Sequence, residues 1–252
     1  MSTRSWIGRT QGFRLATQAR LILAVVLAAS SAQSQPVLVR DLETATSSSN
    51  PRELTGANGR MYFTASTATT GPELWSTDGT PGGTVVAELT PGPGASLPEY
   101  LTVIGTQIFF AATTPSTGRE LWRADGPTTL TLVKDIVAGS AGSEPAYLTA
   151  LAGTLFFVAT EPGTGWALWQ SDGTESGTTR VKVLGLGASP RDLTAVGSTL
   201  FFSSDDAATG RELWKSDGTE AGTAPVADLT VGPGDSSPTH LTAAGGLLFF
   251  RA

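Results

Sequence analysis

The chain has no cysteine, a single histidine and three lysines among its 252 residues, and each shortage removes a class of function. Without thiols there is no disulfide framework, no cysteine nucleophile and no cysteine-ligated zinc or iron–sulfur centre. With His240 as the sole imidazole, a histidine-dependent triad or a histidine-rich zinc site has nothing to be built from. Lys134, Lys182 and Lys215 are the only lysines, and the formal charge is −6. Nucleic acid is therefore a poor partner, because neutralising phosphates takes clustered basic side chains. A long hydrophobic run is missing too: Leu21 to Ala29 is too short to span a bilayer comfortably.

That short run has its own meaning. Arg4, Arg9, Arg14 and Arg20 precede or flank it with no acid nearby, and small residues follow. Residues 1–32 thus read as a secretory signal peptide, with Ser30-Ser31-Ala32 as the cleavage site and Ala32-Gln33-Ser34 as the alternative. An uncleaved anchor is the bland alternative. Removing four of the sixteen basic residues leaves twelve against twenty-two acids, a mature charge of −10. The expected location is secreted or at the bacterial cell surface, with no transmembrane span after signal removal.

What the chain does contain is a repeated phrase. Glu73-Leu74-Trp75-Ser76-Thr77-Asp78-Gly79-Thr80 returns as Glu120-Leu121-Trp122-Arg123-Ala124-Asp125-Gly126, as Ala167-Leu168-Trp169-Gln170-Ser171-Asp172-Gly173-Thr174, and as Glu212-Leu213-Trp214-Lys215-Ser216-Asp217-Gly218-Thr219. The tryptophans are 47, 47 and 45 residues apart. Phe63, Phe110, Phe157, Phe202 and Phe250 keep the same step, each closing a Tyr-Phe or Phe-Phe pair. Self-similarity at this period indicates a propeller or solenoid.

The third unit shows four short strands: 147–151, 154–159, 167–171 and 179–184. They are rich in β-branched and aromatic residues and bounded by Gly, Asp and Pro. Leu155-Phe156-Phe157-Val158 is continuously apolar, so both sheet faces must be buried, as they are between stacked blades. The expected fold is all-β: a β-propeller-like array of four-stranded antiparallel blades, with four full repeats and an incomplete fifth. Units start near residues 51, 98, 145, 190 and 238, within a repeat domain over 33–252. Residues 37–42 resemble a fourth strand. Either they join strands from 239–250 and close a five-bladed ring, or the chain is a fragment of a longer array cut inside a blade, which the exposed apolar edge after Phe250 favours. Each Asp-Gly is expected to form a two-residue hairpin with positive φ at both positions, tied by the following Thr hydroxyl. The structural motif residues are thus Trp75, Asp78 and Gly79; Trp122, Asp125 and Gly126; Trp169, Asp172 and Gly173; and Trp214, Asp217 and Gly218, the tryptophans packing between blades.

Glu-Leu-Trp-x-x-Asp-Gly-Thr resembles the bacterial ELWxxDGT repeat family, often labelled hyalin-like or hyalin-repeat proteins. The resemblance covers about residues 36–252 and implies export and a propeller more than any activity. Ala167 in place of Glu, and Pro127 in place of Thr, depart from the pattern. The turn is also similar to the Asp box of sialidases, a structural element that imports no sialidase site.

Residues shared by every unit serve folding first, so sites are sought where units differ. Asp205-Asp206 falls in a predicted loop, where calcium is the cation that two carboxylates and loop carbonyls would take; a solvated acidic loop is the simpler reading. Trp166 would be a sugar platform or, more simply, packing. Glu73, Glu120 and Glu212 would pair with Arg119, Arg211 or backbone groups, and His240 would be a strand-start residue. No catalytic residue and no cofactor is assigned. The expected function is a non-catalytic binding or scaffolding module for a protein or glycan ligand, recognised by loops 64–71, 111–118, 158–165 and 203–210. The alternatives are a glycan-active hydrolase or lyase with paired carboxylates, and a calcium-dependent adhesion protein.

Overall fold

The computed structural model describes residues 38–43 and 47–252; the signal-like segment 1–32 lies outside the described residues. Among the described residues, all eighteen elements are β-strands. The first sheet holds β1 (Arg52–Ala57), β2 (Arg60–Ala65), β3 (Glu73–Thr77) and β4 (Val85–Ala87). The second holds β5 (Glu99–Ile104), β6 (Gln107–Thr114), β7 (Gly118–Ala124) and β8 (Leu130–Lys134). The third holds β9 (Ala146–Leu151), β10 (Thr154–Glu161), β11 (Gly165–Ser171) and β12 (Thr179–Gly185). The fourth holds β13 (Arg191–Val196), β14 (Thr199–Asp206), β15 (Gly210–Ser216) and the very short β16 (Ala224–Pro225). The fifth is a hairpin of β17 (Thr239–Ala244) and β18 (Leu247–Arg251). Within each sheet the strands follow chain order and pair antiparallel, as in propeller blades.

The paired aromatics explain the stacking. Phe109 and Phe110 are adjacent on β6 and therefore face opposite ways. Phe109 joins a cluster with Leu155, Phe157 and Trp169 of the third sheet, and Phe110 one with Tyr62 and Leu74 of the first. Phe156 and Phe157 repeat the division one sheet on. Each tryptophan sits opposite the second aromatic of its own sheet, as Trp169 sits opposite Phe157 and Trp214 opposite Phe202. These two pairs stack with centroids 6.3 and 6.0 Å apart. Trp75, Trp169 and Trp214 are buried, and Trp122 is half-buried. Trp122, Trp169 and Trp214 pack between neighbouring sheets, as the sequence leads one to expect, whereas Trp75 packs on Phe63 and Ala65 of its own sheet and on Leu42.

The first strands contact one another from sheet to sheet: β1 with β5, β5 with β9, β9 with β13, and β13 with β17. They form the inner rim of an arc. A threonine on each rim strand staples neighbours. Thr55, Thr102, Thr149 and Thr194 donate to the carbonyls of Leu101, Leu148, Leu193 and Leu241 on the next sheet, at 3.4, 3.0, 3.1 and 3.3 Å.

The segment 38–43 does not join β17 and β18. Leu42 packs on Phe63, Ala65 and Trp75 of the first sheet, and Arg40 donates to the Thr84 carbonyl at 2.6 Å. Among the described residues, ring closure by this segment is therefore not formed: β17 and β18 pair only with each other. Leu247, Phe249 and Phe250 of β18 stand exposed, where the corresponding residues of the other sheets are covered by a third strand carrying Leu-Trp.

The Asp-Gly turns correct a second expectation. Gly79, Gly173 and Gly218 have φ near +90°, but the preceding aspartates stay in the ordinary region. The third and fourth strands are joined by a longer loop, 78–84 in the first sheet. Asp78 instead accepts from the Thr80 amide and hydroxyl at 2.9 and 2.7 Å, and the Thr80 hydroxyl accepts from the Gly83 amide. Asp172 with Thr174, and Asp217 with Thr219, repeat the arrangement. Turns with two left-handed residues do occur, between the first and second strands, at Asn58-Gly59 and Ala152-Gly153. In the second sheet Pro127 removes the Thr, and Asp125 binds Gln107, Arg123 and Thr131 instead.

Candidate functional site

Antiparallel order places two kinds of connection at one end of every sheet: the hairpin between second and third strands, and the crossing from a fourth strand to the next first strand. The two are tied together. Thr113 donates to the Ser96 carbonyl at 2.8 Å, and Thr160 to the Ser143 carbonyl at 2.7 Å. A Cβ at Gly118 would collide with the backbone of Gly142, so this close approach needs glycine.

The recurrent glutamates build this end from below. Glu73, Glu120 and Glu212 are fully buried. Glu73 accepts from the Ser96 hydroxyl at 2.5 Å, the Ser96 amide at 3.0 Å and the Leu89 amide at 3.1 Å. Glu120 accepts from the Ser143 hydroxyl at 2.5 Å and the Val137 amide at 3.0 Å. Glu212 accepts from the Ser236 hydroxyl at 2.6 Å and the amides of Ser236 and Leu229. Backbone and serine, not arginine, are the partners. Burial pushes the carboxyls of Glu73 and Glu120 above the usual range, against the opposing effect of these hydrogen bonds. Where Ala167 replaces the glutamate, Ala188 replaces the serine, and both are buried. That paired change was visible in the sequence as Ser96-Leu97-Pro98, Ser143-Glu144-Pro145 and Ser236-Ser237-Pro238 against Ala188-Ser189-Pro190.

Arg119 bonds Glu99 at 2.8 Å, lies 3.8 Å from Glu144, and donates to the Leu97 carbonyl at 3.0 Å, so it spans two crossings. Arg211 bonds Asp205 at 2.5 Å and donates to the Ser189 carbonyl at 2.9 Å. Asp205 and Asp206 are thus not in a loop. They end β14, where strand pairing continues to Asp206 opposite Gly210. Asp205 is engaged by Arg211, and Asp206 accepts from the Ala208 amide at 2.8 Å within its own turn. Among the described residues, no three His, Asp or Glu side chains come together as a metal site. Trp166, on β11, packs against the cluster between the third and fourth sheets.

The predicted recognition loops are shorter than expected. Strand pairing leaves tips at 115–117, 162–164 and 207–209, with a longer tip at 66–72 only in the first sheet. Regular alternation of Thr, Ala and Gly gave no sign in the sequence of where pairing stops.

The start of each rim strand carries a feature that the sequence reading missed. Glu53, Tyr100, Tyr147, Asp192 and His240 occupy the same place in the five units, and all have φ between +55° and +60°. Register slips there in every sheet: from Arg52 to Thr55 the strand advances three residues while β2 advances two, from Thr64 to Tyr62. These are β-bulges. The signal was present as Pro-x-Z-Leu-Thr: Pro51 to Thr55, Pro98 to Thr102, Pro145 to Thr149, Pro190 to Thr194 and Pro238 to Thr242, constant except at the second and third positions. Glu53 reaches the next sheet to accept from the Tyr100 amide at 3.0 Å, and the Tyr100 and Tyr147 rings are 5.6 Å apart, tilted by 46°. Burial raises the Tyr100 phenol above its usual value, reinforced by Tyr147 and Glu99.

No protein-family model and no curated protein matches the chain. Solved structures similar to it include an AtxE2 isopeptidase variant, at 14% identity and a TM-score of 0.42, covering 63% of this chain and 25% of that one. TolB from Acinetobacter baumannii is similar at 18% identity and a TM-score of 0.40, covering 63% and 38%. The GH43B protein of a Bacteroides ovatus xyloglucan PUL is similar at 13% identity and a TM-score of 0.37, covering 70% and 40%. The chain spans well under half the length of each of these proteins. The propeller-like fold rests on the strand order and sheet packing described above.

Proposed function

We propose that the chain is an exported, non-catalytic binding or scaffolding module of the ELWxxDGT type, acting at the bacterial cell surface or outside the cell. The observation that carries this reading is that the recurrent residues are spent on packing and turns, which leaves varying strand ends and connections displayed on a fixed scaffold. Trp75, Trp169 and Trp214 are buried, and the recurrent glutamates bind serines and backbone. Loops and strand ends on a fixed scaffold are suited to recognition. The arginine-bearing apolar segment 1–32 supports export, and the acidic balance supports a partner other than nucleic acid.

The test is binding of the fluorescently labelled full chain to intact bacterial envelopes. Saturable binding that falls when the tips 66–72, 115–117, 162–164 and 207–209 are replaced by Gly-Ser sequences of equal length supports the reading. Turnover of a glycan or ester that is abolished by Asp205→Ala or Asp206→Ala would replace it with a hydrolytic one.

A further inference from the structure

A position whose only duty was to form a bulge would settle on Gly or Asn, which enter the left-handed region with little strain. Here the five occupants are Glu53, Tyr100, Tyr147, Asp192 and His240, and a bulky residue at positive φ is an outlier. Such residues carry backbone strain and persist where the surroundings over-determine them. The surroundings do so: the flanking Pro and Leu are constant, and each Thr hydroxyl reaches the carbonyl of the bulged residue two positions earlier, at 3.1, 2.9, 2.9, 3.0 and 3.0 Å, its one proton shared with the next sheet's carbonyl in the first four units. The scaffold fixes the backbone and leaves the side chain free to vary.

Among the described residues, the hydroxyls of Tyr100 and Tyr147, the carboxylate of Asp192 and the ring of His240 have no hydrogen-bond partner in the protein. The two rings are half-buried, each packed on one side against an inter-sheet cluster, and they contact each other. At the Glu53 end the row runs into a cavity of about 260 Å3 between the first and second sheets, lined by Arg52, Glu53, Thr64, Leu97 and Glu99 among others. That volume is just below the range of about 300–1,000 Å3 typical of drug-sized ligands.

We infer that the inner rim from Glu53 to Asp192 is a glycan-binding site for a neutral oligosaccharide, one sugar ring entering the cavity and the next lying along Tyr100 and Tyr147. A pyranose offers an apolar C–H face to an aromatic ring and hydroxyl donors to carboxylates, and this row supplies both in sequence. Charge selects neutrality. Arg52 precedes Glu53, Arg191 precedes Asp192, and Arg119 sits between Glu99 and Glu144. A polycation meets arginines here and a polyanion meets carboxylates. This assignment rests on the binding function proposed above and names its ligand class.

The experiment is titration calorimetry of the full chain with cellotetraose, maltotetraose and N-acetylchitotetraose, with tetragalacturonic acid and tetraglucosamine as charged controls. At least one neutral tetrasaccharide should bind. Tyr147→Ala should weaken it by about tenfold or more, while Tyr147→Phe, which keeps the ring and its packing, should change it by less than about threefold. Glu220→Ala, an exposed residue in the turn between β15 and β16, should have no effect. Tighter binding of either charged control, or unchanged affinity in a folded Tyr147→Ala protein, overturns the proposal. If no tetrasaccharide binds while the labelled chain still decorates envelopes, the glycan assignment fails and the binding function stands; if neither binds, both fail.

Discussion

The carboxylate of Glu120 accepts a 2.5 Å hydrogen bond from the hydroxyl of Ser143, and both side chains are fully buried. The bond crosses from the third strand of one sheet to the turn that launches the next. It works with the second bond, from the Val137 amide, to hold a crossing that has no regular structure of its own. A buried carboxylate left short of a donor is expensive, so Ser143→Ala should destabilise the protein by about 1–3 kcal/mol. Glu120→Ala combined with Ser143→Ala should cost less than the sum of the single changes, as the Ala167 and Ala188 pair anticipates. Urea denaturation of the four proteins in a double-mutant cycle measures the difference.

Stability should peak in mild acid. Burial raises the folded-state values of Glu73 and Glu120 above 4.5, so the folded protein holds these protons to higher pH than the unfolded chain does. Stability from this source falls as pH rises through the folded values and is recovered on acidifying toward 4.5. Asp78, Asp172 and Asp217 act oppositely. Hydrogen bonds from their threonines lower them below 3.8, so their contribution is lost as pH falls below that value. Melting temperatures measured from neutral pH down to strong acid should rise and then fall. Glu120→Gln should flatten the upper arm, and Asp172→Asn the lower.

Trp169→Ala should cost about 3–5 kcal/mol, because the indole lies in the cluster joining the second and third sheets. Hydrogen exchange should show the lost protection centred on β6, β7, β10 and β11, with the fourth sheet much less affected.

The sequence made the period, the four-strand unit and the two-sided burial legible, because each follows from local alternation and from repetition. Phe156 and Phe157 alone require neighbours on both faces. It misled at Asp172: Asp-Gly fits a two-residue hairpin, but Thr174 offers the aspartate two donors, and that cap outcompetes the tighter turn. It singled out Glu120 but not its serine partner, because Ser143 lies 23 residues on and only the joint change to Ala167 and Ala188 links the two positions. The rim row was in plain view as Pro-x-Z-Leu-Thr, yet variation at Z reads as tolerance until the backbone shows that Tyr147 sits at φ +55°.

Thr102→Val should loosen one junction. The hydroxyl serves the carbonyls of Tyr100 and Leu148 together, and its loss should lower stability by about 1 kcal/mol. Chemical denaturation reads the loss, and the titration with neutral tetrasaccharides reads whether the rim has shifted.

Phe249 and Leu247 are more than half exposed on β18. An open apolar strand edge invites pairing. The full chain should therefore show a concentration-dependent mass in light scattering, and Phe249→Asp should reduce it.

Among the described residues, the rim strand of each sheet packs on those of the sheets beside it, and each of the first four sheets brings its own threonine staple and its own rim side chain. Duplicating 47 residues in the gene would thus lengthen the arc by one sheet and write one further letter on the rim, leaving every existing junction as it was. Exchange of whole units would reorder those letters in the same way, so the architecture lets the binding surface be edited without the core being redesigned.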